Sequence, residues 1–334
     1  MKKHDIVVGL QYGDEGKGKV VKDLLSKKSY THCIRFNGGP NAGHTIYHNN
    51  KKLVVHQIPI GIFYNLINIL GPCCVVNIKK LEEEIKYLNE NGISINNNFY
   101  ISKNTHIILP EYIESDKKND IVGTTGNGIA NTYSAKMMRT GKRAEDFKEE
   151  FTKLGIKVID IYEICKNAEK ILFEGAQGFC LDIDFGDYPY VTSSTCTIGG
   201  IISCGINYAQ INDTYGIAKP YETYVGAKKF QPENEQDLHD LQIMGEEYGA
   251  TTGRQRQCNW INLYNLEKSI NCNSCSHIIF NKCDIIKKIN KFKSLSPDIE
   301  YVNADKLLES IEKYILNNCA TVKKIYFSSC PNCI

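Results

Sequence analysis

Residues 5–19 read DIVVGLQYGDEGKGK, and this stretch decides the fold class. Ile6 to Leu10 is a short apolar run rich in β-branched residues, the mark of a buried strand. A glycine-rich loop follows, and then Val20, Val21, Leu24 and Leu25 recur at helical spacing. Strand, glycine loop and helix together cradle phosphate. The loop N–H groups converge on an anion, and the helix start adds partial positive charge. A tight strand–helix turn without a ligand reads the same from this stretch alone. The spacing from Gly13 to Gly18-Lys19 nearly meets the P-loop pattern, but Val20 stands where Ser or Thr would hold Mg²⁺. A metal here needs another ligand, and Asp14 is the carboxylate inside the loop.

Further strand-like runs lie at 31–36, 107–110, 157–160, 170–174, 277–280 and 324–327. Helical patterns alternate with them. Leu81, Ile85 and Leu88 share one face before the stop signal Asn91-Gly92. Leu307, Leu308, Ile311, Tyr314 and Ile315 do the same, with Asp305 expected as the N-cap. The alternation predicts an α/β fold, a large and mostly parallel central sheet flanked by helices with P-loop-like nucleotide-binding architecture. One domain over 1–334, with room for smaller lobes, suits the length.

The chain has 334 residues, 42% hydrophobic and 23% charged, with a formal charge of +2. That balance gives no electrostatic case for nucleic acid or an acidic membrane. No apolar run approaches the ~18–20 residues of a membrane span. The opening MKKHDIVVG enters a strand at once, so we expect no signal peptide and a cytoplasmic protein. The fourteen cysteines then read as reduced, with Cys33 and Cys74 as small core residues. Cys272/Cys275 and Cys330/Cys333 have C-x-x-C spacing. If the strands at 277–280 and 324–327 are parallel neighbours, these pairs lie at opposite sheet ends, on the order of 15 Å apart. Thiols are therefore favoured over a zinc site.

Several loops carry chemistry. His44 stands in the glycine-rich GGPNAGHT, where an imidazole can reach a phosphate. Thr124 and Thr125 suit either a turn or a phosphate. Lys136, Arg139, Lys142 and Arg143 form a cationic cluster that also fits a solvated helix face. Glu174–Gly178 follows an apolar strand, as a ligand loop should. Tyr188-Pro189-Tyr190 reads as packing. Ala250–Arg256 reads as an anion loop whose arginine forks pair with carboxylates. Asn281–Asp284 has the NKxD form after a strand, where a carboxylate accepts from guanine N1 and N2.

Taken together, GDEGKGK, GGPNAGHT (38–45), GTTGNGI (123–129), EGAQG (174–178), YPYVTSS (188–194) and ATTGRQR (250–256) closely resemble the adenylosuccinate synthetases, in the family's order. The chain is similar to a compact, short form of the family. The resemblance implies GTP-dependent ligation of L-aspartate to IMP through 6-phosphoryl-IMP, giving adenylosuccinate, GDP and phosphate on the path to AMP. It implies catalytic roles for Asp14, Lys17 and His44. For IMP it implies Asp14, Glu15, Gly16 and Lys17, then Asn41, Ala42, Gly43 and His44, and finally Thr125, Arg139, Gln177, Thr192 and Arg254. For aspartate it implies Ala250, Thr251, Thr252, Gly253, Arg254, Gln255 and Arg256. GTP phosphates fall to Gly13, Asp14, Glu15, Gly16, Lys17, Gly18 and Lys19, with Gly43, His44, Thr45 and Arg256. The guanine falls to Lys282, Cys283, Asp284, Ser328, Ser329 and Cys330. One Mg²⁺ per subunit is implied on Asp14 and Gly43. A homodimer is implied in which Arg139 reaches the neighbouring site.

The chain departs from the family in places. Gln255 and Gln257 stand where many members carry arginines. Lys228-Lys229-Phe230 replaces the usual glycine and prolines, and Cys330 replaces a glycine. Two other readings compete. A viral relative aminates a guanine nucleotide, but Asp14 leaves less room for a 2-amino group, so Asp14 and NKCD favour IMP and GTP. A guanine-nucleotide binding module would fit the phosphate loop and NKCD. The missing Ser/Thr after Lys19 and the arginine pair count against it.

Overall fold

The computed structural model describes residues 3–49, 51–95, 98–118, 123–249, 253–289, 292–301 and 303–330. Among them, ten strands build one central sheet. From edge to edge its order is Lys324–Phe327, His277–Phe280, Ile211–Ala218, His4–Gly9, Ile171–Glu174, His32–Gly38, Ile67–Val76, Phe99–Ser102 and Lys157–Ile159. The short strand His106–Ile107 pairs beside Ile67–Val76. Every one of these pairings is parallel.

The apolar strands are buried on both faces, as parallel sheets require. Side chains alternate between two cores. Ile6, Val8, Ile34, Phe36 and Phe173 enter one, while Val7, Cys33, Leu172 and Ile217 enter the other. Cys33 and Cys74 are core residues as expected. The helices Lys17–Lys27 and Ile78–Glu90 send Val20, Val21, Leu24, Leu81, Ile85 and Leu88 into the second core. Two smaller sheets adjoin the large one. One joins Tyr221–Tyr224, Gln257–Asn262, Phe292–Leu295 and Ile299–Tyr301, and the other pairs His44–His48 with Lys51–Val55.

The structure corrects two local expectations and adds a strand. The strand expected at 107–110 stops at Ile107, because Pro110 opens the helix Pro110–Lys118. The last long helix is capped by Asn303, whose side chain accepts from Lys306 N–H at 2.9 Å, and Asp305 lies within its first turn. The expected strands do not include Ile67–Val76, whose apolar run is interrupted by Gly71-Pro72. Its register with His32–Gly38 shifts between Arg35 and Asn37, which absorbs that dipeptide as a bulge. Strands 277–280 and 324–327 are indeed parallel neighbours, with His277 opposite Lys324. Cys333 lies outside the described residues.

Candidate active site

The strands His4–Gly9, His32–Gly38 and Ile171–Glu174 lie near the middle of the sheet. The loops leaving their carboxyl ends carry GDEGKGK, GGPNAGH and GAQG, and in an open parallel sheet that is where ligands bind. They line a cavity of about 770 Å³ together with Thr125, Thr192, Arg254, Arg256, Lys282, Asp284 and Cys330.

The phosphate loop is stitched from within. Glu15 is buried, and its carboxylate accepts from Gln11 N–H at 3.1 Å and Gly13 N–H at 2.9 Å. Lys17 Nζ sits 2.6 Å from its other oxygen. Gly16 caps the following helix at a φ of +88°, and a Cβ there would stand 2.8 Å from Asn281 Nδ2. Asn281 donates to Glu15 O at 2.7 Å, so the NKCD segment lies against the phosphate loop. Lys19 reaches the same segment, donating to Asn281 Oδ1 at 3.0 Å and to Ser328 Oγ.

His44 rests on a buried ionic pair. Its Nδ1 lies 2.5 Å from Glu174 Oε1, which also takes Arg35 Nη1 at 3.0 Å. Burial and the Arg35 guanidinium push the imidazole down to about 4, against the pull of Glu174. The ring is therefore neutral near pH 7, with its Nδ1–H donated to Glu174. Burial pushes the Glu174 carboxyl up, but His44, Arg35 and the Ile60 N–H outweigh it and hold it below the ordinary value.

Asp14 has a left-handed φ of +58°, which turns it into the cavity. Its Oδ2 accepts from Arg256 Nε at 2.7 Å. Arg256 Nη1 in turn donates to Glu247. Burial raises the Glu247 carboxyl, but Lys219, Arg256 and Lys282 overcome that and bring it down to about 2. Gln177 lies beside the phosphate loop, also at positive φ. Neither polar atom of its buried carboxamide has a hydrogen-bond partner among the described residues. Such a group in a cavity wall suits a polar ligand.

Other expected residues lie off the lining. Arg139 is exposed at the end of the helix Ile129–Met138. Gly253, Gln255 and Ser329 are exposed, and Ser328 is buried beneath Lys19. Cys283 is buried, with its thiol donating to Phe280 O at 3.4 Å. Ala250, Thr251 and Thr252 fall outside the described residues. The expectation that 188–190 serves packing fails for Tyr188, which is 77% exposed. Tyr190 does pack, against the cluster of Tyr12, Tyr224 and Phe230, and lines the cavity as well. Sequence reasoning did not single out the buried partners Arg35, Lys219 and Glu247, nor the pairing of Glu174 with His44.

A family model described as adenylosuccinate synthetase matches residues 6–162 and 147–327. The adenylosuccinate synthetase of Halothermothrix orenii is 36% identical, over 96% of this chain and 86% of the relative. This chain belongs to the adenylosuccinate synthetase family. The Paramecium tetraurelia synthetase is 37% identical over 86% of this chain and 78% of its own. The fully ligated adenylosuccinate synthetase of Plasmodium falciparum superposes with a TM-score of 0.82 at 30% identity, covering 98% of this chain and 97% of that one. The cyanophage S-2L succinoaminodeoxyadenylate synthetase, bound to dGMP and dATP, shares the fold at a TM-score of 0.78 and 21% identity, over 99% of this chain and 93% of that one. As an adenylosuccinate synthetase, the chain is a C–N bond-forming ligase of AMP biosynthesis that joins L-aspartate to IMP at the expense of GTP.

Proposed function

We propose that IMP, L-aspartate and GTP occupy this one cavity together. The observation that carries the reading is the convergence on it of the phosphate loop, His44, Gln177, Thr192, the two arginines and the NKCD carboxylate. GTP lays its phosphates on Gly13–Lys19 and on Gly43–Thr45, with Lys282 and Asp284 at its base end. IMP takes the Gln177 and Thr192 side, where the buried Gln177 carboxamide, without a hydrogen-bond partner among the described residues, suits a polar group. Arg254 and Arg256 hold the aspartate carboxylates.

The C6 oxygen of IMP is a poor leaving group and must first be phosphorylated. Asp14 accepts the N1 proton, and O6 attacks the γ-phosphorus as the bond to GDP breaks. Lys17 and the loop amides meet the charge that develops on the phosphoryl group. His44, its Nδ1–H fixed on Glu174, donates to a phosphate from Nε2 once that nitrogen takes up a proton, which an incoming phosphate anion favours. The aspartate amine then attacks C6 and phosphate leaves. Asp14 accepts from Arg256 Nε at 2.7 Å. Substrates therefore compete with that pair, and it opens as they bind.

One Mg²⁺ per subunit fits the donor set. Among the described residues no group of three or more His, Cys, Asp or Glu side chains could hold a metal, which suits an ion bound largely by substrate oxygens and water. Asp14 and the Gly43 carbonyl complete such an oxygen set, and the ion would supply charge neutralisation at the phosphates. Arg139 is outside its own cavity and flanked by Met137 and Met138, 72% and 64% exposed. That setting supports a homodimer in which Arg139 serves the neighbouring site. The described cysteines are free thiols, which suits a cytoplasmic protein, and no described helix is long and apolar enough to cross a membrane.

A spectrophotometric assay with GTP, Mg²⁺ and L-aspartate, offering IMP and dGMP in parallel, tests the reading. Turnover with IMP is expected, and turnover with dGMP alone would overturn the substrate assignment. Asp14→Asn is expected to lower kcat by about 1,000-fold. A near-normal rate in that variant would remove Asp14 as the base.

A further inference from the structure

The loop that carries Arg254 and Arg256 is rooted on one buried carboxylate. Glu247 opens the loop, and its carbonyl accepts from Arg256 N–H at 2.8 Å. A second backbone bond, Gly249 N–H to Arg254 O at 2.8 Å, closes the loop above it. The Glu247 side chain is wholly buried, at 0% exposure. It accepts from Tyr221 Oη at 2.6 Å, from Lys219 Nζ at 3.3 Å and from Arg256 Nη1, and Lys282 Nζ lies 3.9 Å away.

A single cation would neutralise this carboxylate, and Lys219 is already beside it. Lys219 has a further partner, the Thr223 hydroxyl at 2.5 Å. Lys219 follows the central strand Ile211–Ala218 and Tyr221 begins the strand Tyr221–Tyr224, so the carboxylate is held where the two sheets are joined. The guanidinium is planar and presents its donors as a fixed fork, so holding one edge fixes the direction of the others. Arg256 gives Nη1 to Glu247 and Nε to Asp14.

We propose that Glu247 is the positioning residue of Arg256. When Asp14 releases Nε to take up the nucleotide, the Nη1 contact persists. The freed edge of the guanidinium then meets the aspartate carboxylate in the cavity and does not swing into solvent. This rests on the role given above to Arg256. Glu247 touches no reacting atom in this scheme and acts through the arginine alone.

The test compares Glu247→Asp, Glu247→Met with Lys219→Met, and Arg256→Met with the unaltered protein. Melting temperature, IMP affinity by calorimetry, kcat and the KM for aspartate are measured. Glu247→Asp keeps a charge for Lys219 but shortens the arm toward Arg256. The double variant removes the buried pair as a unit, so neither charge is left alone. Both are expected to bind IMP within about twofold of the unaltered protein, while kcat falls about 100-fold and the KM for aspartate rises at least about tenfold. If Glu247 only neutralises Lys219, the double variant regains ordinary kinetics and Glu247→Asp scarcely changes them, which overturns the proposal. Should the double variant not fold, Glu247→Asp decides by the same numbers. An unchanged aspartate KM in Arg256→Met, with the parent active, would bring down the role of Arg256 and this inference with it. An impaired Arg256→Met beside normal Glu247 variants would bring down this inference alone.

Discussion

On the floor of the cavity, Glu15 lies 2.6 Å from Lys17, and Glu174 takes Arg35 at 3.0 Å and His44 at 2.5 Å. The wall formed by Thr223, Tyr224 and Val225, and backed by residues 226–231, is held differently. There Phe230 stands edge-on to Tyr12 with ring centroids 4.9 Å apart, and Tyr224 packs beside them. Gln257 seats the loop by accepting from Phe230 N–H at 2.8 Å and donating to Lys228 O at 2.8 Å. Its ionic contacts, Lys228 with Asp187 and Lys229 with Glu233 at 2.5 Å, are at the surface. Behind the wall, Glu222 is buried, and its carboxylate accepts from Asn262 N–H at 3.3 Å. The floor is prearranged by buried opposite charges, which suits a site for phosphates. The wall is prearranged by aromatic packing, which leaves its ionic groups free of that task.

Glu174→Gln breaks the floor where it is most dependent on charge. Arg35 is almost wholly buried and would lose its carboxylate. We expect a loss of about 3–5 kcal/mol in urea unfolding, because a buried cation is left uncompensated. A loss below about 1 kcal/mol would mean that the floor is held by packing, as the wall is, and the contrast would disappear.

The floor was legible in the sequence for the same reason that it is rigid. Its glycines, acids and lysines have to stand at fixed spacing, so GDEGKGK and GGPNAGHT announce the turns, while the chemistry proposed for them comes from their resemblance to the family. The alternating runs likewise announced a parallel sheet, although Ile211–Ala218 was hidden by the polar Asn212-Asp213 at its start. What spacing does not reveal is partner choice across the fold. Glu174 meets His44 from 130 residues away, and only the sheet order brings them together. Glu247 looked like one more acid before an arginine loop, because burial is not written in its neighbours. Gln257, set where the family resemblance implies arginine, reads as a loss in the sequence. In the structure it seats Lys228-Lys229-Phe230, the other departure.

Glu222 tests the wall through pH. Burial pushes its carboxyl up to about 8, against the Asn262 N–H and Lys228, from an ordinary value of 4.5. Between those values the folded protein holds a proton that the unfolded chain has lost, so stability falls as pH rises through this window. Glu222→Gln has no proton to lose. It is expected to match the parent within about 0.5 kcal/mol at pH 5 and to exceed it by about 1–3 kcal/mol at pH 9. Urea unfolding at pH 5, 7 and 9 measures this. Parallel pH profiles for the two proteins would show that Glu222 has a charge partner, and the wall would then resemble the floor.

Lys228→Ala is the finest probe of the difference. The lysine pairs with Asp187 at the rim and lies over the Tyr12 and Phe230 rings at 5.8 and 5.6 Å. Both charges are open to water, so screening leaves the pair worth at most about 0.5 kcal/mol. The KM for IMP should therefore change by less than about twofold at physiological salt, and raising the salt should remove even that. A tenfold rise would place a working charge on the nucleotide side of the wall. The lysine would then have taken over a contact that glycine and prolines cannot make, and aromatic packing would no longer account for that wall alone.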